Sequence, residues 1–507
     1  PGAGAVCHTL NIRLSPRQLA YIVGHAEDKV VIVDAALVPL YEQAAADIGC
    51  VQHHVLINAT PEMETSLPNV IHYEELVKTG GKNFTWRSVD ENMAMGLCYT
   101  SGTTGDPKGV VLTHQNLFSN VEAASFALRI DPTDSTLSFL PLSHIFQRMA
   151  DYLFVSRGCT ISYPHSRETI VADLRAVRPT MVVAVPRVYE KVYFGALSAP
   201  GLKGKVARWA REVGFAWADE RLAGRTPTLP LGISHSLADR LVFRRIRQVV
   251  GERIRFFVSG SAPLDPEIAR FFYAAGLPIL EGYGLTETTA PLTGNLPDDI
   301  RSGTVGYPLP GSTVRISEHG EILARGVGIF SGYRDPAHTA EAFVDGFFRT
   351  GDLGRLDDDG RVVLEGRLKD VIVTSNGKTV VPQPWETRVE ADPLVAHAVM
   401  VGEGRSYLSA LLVLDRAATE AWADAQGIRL DAVSGEGVTP ISEPRLIAHL
   451  QRSVDAANAR VSHSEGVRRF ALVFTDLDDT RLVTPTMKIK RRALLERSGN
   501  AVDDLYR

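Results

Sequence analysis

A loop of glycine, serine and threonine between two apolar stretches places the strongest constraint on how this chain folds. Residues 99–109 read Tyr-Thr-Ser-Gly-Thr-Thr-Gly-Asp-Pro-Lys-Gly and precede the apolar run Val110–Leu112. Glycine adopts positive φ without strain, so the glycines, Gly102 and Gly105 among them, let successive backbone N–H groups converge on one anion. Further donors are available on the side chains of Thr100, Ser101, Thr103, Thr104 and Lys108. The pattern predicts a phosphate-binding loop, distinct from a Walker A loop because Pro107 and Gly109 flank the lysine.

Length and composition limit the remaining possibilities. A chain of 507 residues is too long for one hydrophobic core, so we expect two or more domains. The net charge of −5 does not indicate nucleic-acid binding, and we expect no nucleic acid among the partners. The four cysteines are scattered and form no CxxC pair, which favours thiols in a reducing compartment over structural zinc.

Targeting signals are not visible in the sequence. The longest candidate for a membrane span, residues 137–155, is interrupted by His144, Gln147, Arg148 and Asp151. We therefore expect a cytoplasmic protein, with a monomer and a homodimer both open. Because the chain begins with Pro1 rather than methionine, we expect a natural first segment to be missing.

The order of apolar and turn-forming stretches predicts an α/β fold with a large and a small domain. Strand-like runs alternate with helix-like stretches through the first half, which favours mostly parallel strands. Residues 303–365 contain short strands separated by turns, which indicates a β-rich subdomain. We predict a large domain over 1–366, a joint at 367–370 and a small α+β domain over 371–507.

The loop at 99–109 resembles the signature of the adenylate-forming superfamily, which includes acyl-CoA synthetases, peptide-synthetase adenylation domains and luciferases. The resemblance covers nearly the whole chain. Residues 99–507 look closest to bacterial long-chain fatty-acid–CoA ligases, whereas residues 1–98 look more like the medium-chain branch. The resemblance implies ATP, Mg²⁺, coenzyme A and a fatty acid as partners, and a small domain that rotates between two half-reactions.

A second motif, Glu281–Glu287, resembles the adenine motif of the superfamily. The resemblance implies that Tyr283 stacks on adenine, that Thr286 donates to the α-phosphate, and that Glu287 holds Mg²⁺ together with Thr100. Magnesium prefers carboxylate and phosphate oxygens, which suits Glu287. The resemblance also implies that Glu281 and Gly282 belong to the nucleotide-binding site. Taken alone, Glu287 is more typical of a solvated loop glutamate.

Further motifs match the nucleotide site and the joint. The small residues Gly260, Ser261, Ala262 and Pro263 resemble the segment that covers the other side of the adenine. Asp352, in Arg-Thr-Gly-Asp, resembles the carboxylate that accepts hydrogen bonds from both ribose hydroxyls. Arg367 resembles an arginine that contacts ribose or phosphate, and Lys369 falls at the hinge position.

Lys488 resembles the catalytic lysine at the C-terminal end of the superfamily. It lies in Thr-Pro-Thr-Met-Lys, where many relatives have Ser-Gly-Lys and long-chain acyl-CoA synthetases have Thr-Met-Lys. Without the motif, a lysine beside Lys490 and Arg491 is more typical of a solvated tail. The match makes Lys488, Lys108, Thr286 and Glu287 the expected catalytic residues.

Three residues are predicted to contact the acyl group. His144 and Ile145 lie in a segment that resembles the lining of the acyl pocket, although His144 alone is more typical of a buried structural histidine. Gly284 follows Tyr283, and synthetases for very short acids can carry a bulky aromatic there. Glycine leaves room for a chain, so a fatty acid is expected, and the resemblance of residues 99–507 to long-chain ligases favours a long acyl chain over a medium one.

The sequence therefore predicts an AMP-forming fatty acyl-CoA synthetase, an acid–thiol ligase. Two alternatives stay open: a fatty acyl-AMP ligase that loads a carrier protein, and a non-catalytic acyl-adenylate binder. Residues 203–255 contain twelve Lys or Arg against five acids. A solvated helical face explains this excess, and peripheral contact with an anionic membrane or attraction of coenzyme A phosphates is the alternative.

Overall fold

The computed structural model describes residues 1–81, 84–100, 106–166, 168–197, 201–430, 438–477, 479, 481–484 and 488–507. The first part of the chain forms a small parallel sheet and the hairpin that frames the predicted phosphate loop. Its elements are β1 Cys7–His8, α1 Pro16–Ala26, β2 Val30–Asp34, α2 Val38–Ala45, β3 His53–Ile57, β4 Val70–His72, α3 Tyr73–Thr79, β5 Ala94–Thr100 and β6 Lys108–Thr113.

A seven-stranded sheet with helices around it forms the centre of the molecule. Its strands and helices are α4 His114–Leu128, β7 Ser135–Leu137, α5 Ile145–Ser156, β8 Thr160–Ser162, α6 Ile170–Val177, β9 Met181–Ala184, α7 Pro186–Leu197, α8 Gly201–Leu222, α9 Leu229–Ala238, α10 Arg244–Val249, β10 Phe256–Ser259, α11 Pro266–Ala274, β11 Ile279–Tyr283 and β12 Thr293–Gly294. A π-helical turn, Asp239–Phe243, joins α9 to α10.

Short antiparallel strands follow, and then a compact C-terminal unit. The first group comprises β13 Tyr307–Pro308, β14 Ser312–Ile316, β15 Glu321–Gly326, β16 Gly332–Tyr333, α12 Pro336–Glu341, β17 Phe343–Val344, β18 Phe347–Leu356 and β19 Val362–Arg367. The second comprises β20 Ile372–Val373, β21 Thr379–Val380, α13 Gln383–Glu390, β22 Val395–Val401, β23 Leu408–Leu414, α14 Arg416–Gln426, β24 Thr439–Ile441, α15 Pro444–Asn458, β25 Val467–Phe474, α16 Arg491–Arg497 and α17 Ala501–Asp504.

The predicted α/β class is confirmed, and the sheets show where strands are parallel. The seven-stranded sheet has the order β13-β12-β11-β10-β9-β7-β8, and its β7 to β11 strands pair in parallel. The strands β5 and β6 differ, because they pair antiparallel on either side of the 101–107 loop. The carboxyl ends of β10 and β11 therefore lead into 260–263 and 284–287, at the edge where ligands of parallel sheets bind.

Local sequence explains the boundaries of the main helices. Ser15 caps α1 and exchanges hydrogen bonds with Gln18, while Pro16 occupies the first turn, where its missing N–H costs nothing. Thr113 and Asn116 form the same reciprocal cap at the start of α4. The Thr113–Asn116 cap ends β6 and begins α4 without a linker, so the strand that follows the loop leads directly into a helix of the core.

Separate hydrophobic clusters stabilise the two ends of the chain. One cluster joins β5, β6, α4 and α5 to the central sheet, with Val110, Leu153 and Phe154 at most 1% exposed. Another lies wholly within residues 372–474 and includes Trp385 and Leu412. The C-terminal unit thus has its own core, as an independently moving domain requires. Among the described helices, none combines the length and the apolar character needed to cross a bilayer.

Candidate active site

The predicted phosphate loop connects the two strands of a hairpin. Thr100 lies opposite Lys108, and Tyr99 lies opposite Gly109, so both ends of the loop are fixed by the antiparallel ladder. The Thr100 hydroxyl is 3.5 Å from the Lys108 carbonyl. The predicted donors Ser101, Gly102, Thr103, Thr104 and Gly105 lie outside the described residues.

Lys108 and Glu287 are linked through a residue that the sequence motifs did not single out. The Tyr333 hydroxyl donates to Glu287 Oε1 at 2.8 Å, and the Lys108 ammonium lies 5.1 Å from the centre of the Tyr333 ring. Tyr333 is placed here by the pairing of β16 with β6, opposite Val110. No local sequence pattern predicts this contact, because only the fold brings residue 333 beside residue 108.

The environment of Glu287 fits a hard cation. Burial raises the pKa of the Glu287 carboxyl, and the Tyr333 hydrogen bond opposes that rise. Burial, followed by the nearby Glu287 charge, raises the pKa of Tyr333, which keeps its hydroxyl a donor. A partly desolvated carboxylate with one hydroxyl donor still has free lone pairs, which is the kind of single protein ligand that Mg²⁺ uses beside phosphate oxygens.

Tyr283, Asp352 and Arg367 form a second polar group. The Tyr283 hydroxyl donates to Asp352 Oδ2 at 2.7 Å, and Arg367 Nε lies 2.9 Å from Asp352 Oδ1. The β18–β19 ladder fixes this pair, because Asp352 lies opposite Arg367. Burial raises the pKa of Asp352, while Arg367 and the Tyr283 hydroxyl oppose the shift. Each carboxylate oxygen accepts more than one hydrogen bond, so both remain able to receive a ribose hydroxyl.

The segment 260–263 lies beside the Glu281–Glu287 motif. Ser259 pairs with Glu281 at the end of β10, and a side chain at Gly260 would lie 3.1 Å from the Phe146 ring and 3.4 Å from the Gly282 carbonyl. Ser261 has a φ of +69°, so the chain turns sharply after the strand. The contact of Ser261, Ala262 and Pro263 with a base stays a prediction.

Gly284 has a local reason to be glycine. A Cβ at this position would lie 2.6 Å from the Ala290 carbonyl oxygen, a backbone atom that cannot yield easily. The close approach occurs where the chain turns through the short 3₁₀ segment Thr286–Thr288. Packing therefore accounts for the glycine, and its role in leaving space for the acyl chain stays a prediction, as does donation by Thr286.

The two other predicted acyl contacts have different surroundings. His144 precedes α5, and its Nε2 lies 3.4 Å from the Asn11 side-chain amide. Burial, followed by the Lys488 charge, lowers the pKa of His144, so its neutral form is favoured. Ile145 is only 6% exposed and belongs to the main hydrophobic cluster. The structure thus gives Ile145 a core role, and a contact with substrate stays a prediction for both residues.

The loop that carries Lys488 is held by backbone hydrogen bonds on both sides. The Thr484 amide donates to the Lys488 carbonyl at 2.8 Å, and the Lys488 amide donates to the Thr484 hydroxyl at 3.1 Å. The Lys490 amide donates to the Leu482 carbonyl at 2.7 Å. The predicted motif residues Pro485, Thr486 and Met487 lie outside the described residues.

Lys488 faces the large domain. Its side chain is accessible at the surface, yet protein on either side removes enough water to lower its pKa. The Arg367 charge lowers the pKa further, whereas Asp352 and Asp370 raise it. Lys488 is therefore within electrostatic range of Asp352, Arg367 and His144. The convergence of the predicted motifs on one ATP stays a prediction.

Arg491 anchors the lysine loop to the small domain. Its Nη2 lies 2.8 Å from both oxygens of Glu386, and its Nη1 donates to the Met400 carbonyl at 2.8 Å. Glu386 is buried on α13 and also accepts from the Met400 amide at 2.7 Å. Asp370, next to Lys369, is 3.9 Å from Arg491. One guanidinium thus ties the lysine loop to the end of the predicted joint.

The two domains also touch away from the site. The Arg187 guanidinium on α7 donates to the Ala396 carbonyl at the start of β22. Lys369 is exposed within the short 3₁₀ turn Leu368–Asp370. A swing about this turn stays a prediction, since the structure describes one arrangement.

The site residues, the fold and the sequence together define a class. Residues 1–334 match the AMP-binding enzyme family, and residues 369–507 match the AMP-binding enzyme C-terminal domain. The chain belongs to the AMP-binding enzyme family.

Individual members of the family with similar sequences or folds include ligases that act on fatty acids and on anthranilate. The chain is 39% identical to the long-chain-fatty-acid–CoA ligase FadD15 of Mycobacterium bovis over 81% of this chain and 69% of the relative. It is 30% identical to the peroxisomal long chain acyl-CoA synthetase 6 of Arabidopsis thaliana over 97% of this chain and 73% of the relative. The fold is similar to that of the anthranilate CoA ligase AuaEII in complex with anthranoyl-AMP, with a TM-score of 0.72, 19% identity, and coverage of 99% and 84%.

Proposed function

We propose that this protein is an AMP-forming fatty acyl-CoA synthetase that prefers long-chain acids, and therefore an acid–thiol ligase. The observation that carries the proposal is that the charges of Asp352 and Arg367 act on Lys488, while the Lys488 charge acts on His144. The nucleotide motifs and the predicted acyl segment thus share one lysine. ATP, a fatty acid and coenzyme A are the proposed substrates.

In the first half-reaction, a carboxylate oxygen attacks the α-phosphorus of ATP. A new P–O bond forms, the bond to the bridging oxygen breaks, and pyrophosphate leaves with the electron pair. Two anions must meet, so catalysis depends on positioning and on neutralising charge. Lys488, Lys108 and the loop donors are suited to these tasks. No general base is needed, because the acid is already ionised at neutral pH.

Magnesium, held by Glu287 and Thr100, would supply positive charge to the triphosphate oxygens when bound. Tyr333 keeps the Glu287 carboxylate in place through its hydroxyl and stands between that carboxylate and Lys108. Asp352 would accept the ribose hydroxyls, with Arg367 fixing the orientation of the carboxylate. Tyr283 donates its hydroxyl to the same carboxylate, so its ring is held in a fixed position for adenine.

In the second half-reaction, the coenzyme A thiol replaces AMP. The sulfur forms a bond to the acyl carbon, the mixed anhydride C–O bond breaks, and AMP leaves while the thiol proton passes to solvent. We propose that the small domain turns about residues 367–370 between the two steps and withdraws Lys488. The accessible Lys369 side chain leaves the backbone at that joint free to change its torsions.

The preference for long chains rests on similarity. The relatives named for long-chain substrates cover most of this chain at 30–39% identity. A panel of saturated acids from acetate to stearate, with AMP release measured with and without coenzyme A, tests the preference. We expect the longer acids to give the higher kcat/KM. We also expect both AMP release and acyl-CoA formation to require coenzyme A.

A carrier protein should replace coenzyme A in a parallel assay. Acyl transfer to the carrier with little acyl-CoA formation would contradict the proposal and indicate a fatty acyl-AMP ligase. Binding of a synthetic acyl-adenylate without turnover of any acid would indicate a non-catalytic binder.

A further inference from the structure

The Tyr99 side chain, at the end of β5, reaches the last turn of α1. Its hydroxyl oxygen lies 2.6 Å from Nδ1 of His25. The His25 ring stacks on Tyr21, with 5.4 Å between the ring centres, and lies nearly perpendicular to the Tyr99 ring, with 5.7 Å between centres. A phenol keeps its proton at neutral pH, so the Tyr99 hydroxyl is able to donate to the ring nitrogen. Tyr99 is therefore fixed both by packing and by one directional contact.

The Tyr99 ring covers the backbone of the residue that follows Lys108. Gly109 lies opposite Tyr99 in the hairpin. A Cβ at Gly109 would lie 3.0 Å from Tyr99 Cζ and 3.2 Å from the Tyr99 hydroxyl oxygen. The phenol thus occupies the space of a side chain, which accounts for the glycine. The position of the ring therefore bears directly on the backbone from which Lys108 extends.

Arg334 connects the same backbone to α1. Its amide donates to the Gly109 carbonyl at 2.7 Å, and its Nε donates to the His25 carbonyl at 3.2 Å. Arg334 directly follows Tyr333, whose ring centre lies 5.1 Å from the Lys108 ammonium. The backbone beside Lys108 and the far end of its side chain are thus held by neighbouring residues. The contacts close into a circuit that consists of His25, Tyr99, Gly109 and Arg334.

We propose that His25 is a positioning residue for Lys108 and acts through the Tyr99 hydroxyl. A lysine has a long, flexible side chain, so its ammonium is well placed only if the backbone below it is fixed. Without the hydrogen bond, the Tyr99 ring would be free to tilt against Gly109 and shift that backbone. This role rests on the proposed function, in which Lys108 neutralises charge on the triphosphate of ATP.

Packing alone is the competing explanation for the contact between α1 and the hairpin. The His8 ring, 5.0 Å from the Tyr99 ring, and the hydrophobic cluster beside it would hold Tyr99 even without the hydrogen bond. The two explanations differ in what a substitution does. A loss of packing lowers the stability of the fold, whereas a loss of position weakens ATP binding and leaves the contacts with the fatty acid intact.

His25→Phe keeps an aromatic ring beside Tyr21 but removes the nitrogen that accepts the hydrogen bond. We expect the KM for ATP to rise by about fivefold, the effect of one lost hydrogen bond, while the KM for the fatty acid stays unchanged. His25→Asn should bring the KM for ATP back to within about twofold, because its side-chain oxygen can take the place of Nδ1. Tyr99→Phe should match His25→Phe, and the double variant should be no worse than either, because all three remove the same bond.

Calorimetric titration with ATP and with AMP separates this role from turnover. The affinity for ATP should fall by about fivefold in His25→Phe, whereas the affinity for AMP should not change, because AMP lacks the outer phosphates. Formation of acyl-CoA from supplied acyl-adenylate should not change either. If the unaltered chain binds ATP but shows no acid-dependent turnover, the proposed function fails, and these titrations still decide the role of His25.

Two matched controls make the same substitutions at exposed positions. His53→Phe, on β3, and Tyr73→Phe, on α3, should both behave like the unaltered chain. Thermal melts establish that every variant folds. A loss in His25→Phe that His25→Asn does not reverse, equal rises in the two KM values, or multiplied losses in the double variant would overturn the proposal in favour of packing. An unchanged KM for ATP in both His25→Phe and Tyr99→Phe would overturn it as well.

Discussion

Two carboxylates, Asp352 and Glu287, define the proposed nucleotide site, and their roles differ. Asp352 is paired with Arg367, whereas Glu287 has only the Tyr333 hydroxyl among its described side-chain partners. An unpaired, partly desolvated carboxylate is costly unless a cation completes it. This contrast supports Glu287 as the metal ligand and Asp352 as the hydrogen-bond acceptor for ribose.

Glu287→Gln should reduce acyl-adenylate formation by roughly 10²–10³-fold, because it removes the charge that would hold Mg²⁺ while keeping the shape of the side chain. Tyr333→Phe is the matched control: it loses one hydroxyl but keeps the ring below Lys108, so we expect a loss of about tenfold. Adenylation measured over a series of Mg²⁺ concentrations checks both. Equal activity in Glu287→Gln and the unaltered chain would rule out the assigned role.

The buried carboxyl group of Glu281 is expected to affect the stability of the fold rather than catalysis. Burial raises the pKa of the Glu281 carboxyl from 4.5 to about 8. The Gly303 amide opposes this rise by donating a hydrogen bond of 3.4 Å to Oε1. The folded state therefore binds a proton more tightly than the unfolded state. The contribution of Glu281 to the free energy of unfolding should be fully present below pH 4.5 and should fall by about a few kcal/mol as the pH rises through 8.

Glu281→Gln should remove this part of the pH dependence, because an amide does not ionise. Chemical denaturation at several pH values measures it, with Glu75→Gln, an exposed glutamate on α3, as the control. A slope unchanged by Glu281→Gln would contradict the burial argument.

At the level of elements, local pattern predicted the strands and loops but not their partners. The apolar runs 97–100 and 110–112 were both expected as strands, and the structure pairs them in an antiparallel hairpin. Tyr333 reaches the site only because β16 adds to the edge of that hairpin. Pairing between distant segments depends on how the whole chain packs, and for this reason sequence motifs revealed Lys108 and Glu287 but not the tyrosine between them.

The loop that carries Lys488 depends on Arg491. Arg491→Met would remove the hydrogen bonds to Glu386 and Met400 and allow the lysine to move. A misplacement of about 1 Å can lower a rate by roughly 10²-fold, so adenylation should fall by up to that amount. Thioester formation from a supplied acyl-adenylate should fall much less. Both half-reactions are measured separately.

Arg492→Met is the control for that experiment, because the Arg492 side chain is 79% exposed and, among the described residues, forms an ion pair only with Glu496. We expect it to leave both half-reactions unchanged. Equal losses in the two half-reactions of Arg491→Met would indicate a general loss of folding, and no loss in either would show that the anchor does not position the lysine.

At the level of the whole molecule, the described arrangement suits the first half-reaction. Lys488 approaches the nucleotide residues, and Arg187 joins the large domain to β22. The sequence predicted the α/β class, and its motifs made Lys488, Asp352 and Arg367 candidate site residues; Arg187 was not among the predicted residues. It did not predict their closeness, because the distance between residues 352 and 488 depends on how one domain rests on the other. The structure describes one arrangement of the two domains. Thioester formation is proposed to need a second arrangement.

The most direct test of the central claim is fatty-acid-dependent exchange of pyrophosphate into ATP, compared between the unaltered chain and Lys488→Ala. We predict exchange that requires a long-chain acid and falls by roughly 10²–10³-fold in the variant, while the variant still makes acyl-CoA from supplied acyl-adenylate. Exchange at full speed in Lys488→Ala, or no acid-dependent exchange in the unaltered chain, would contradict the account.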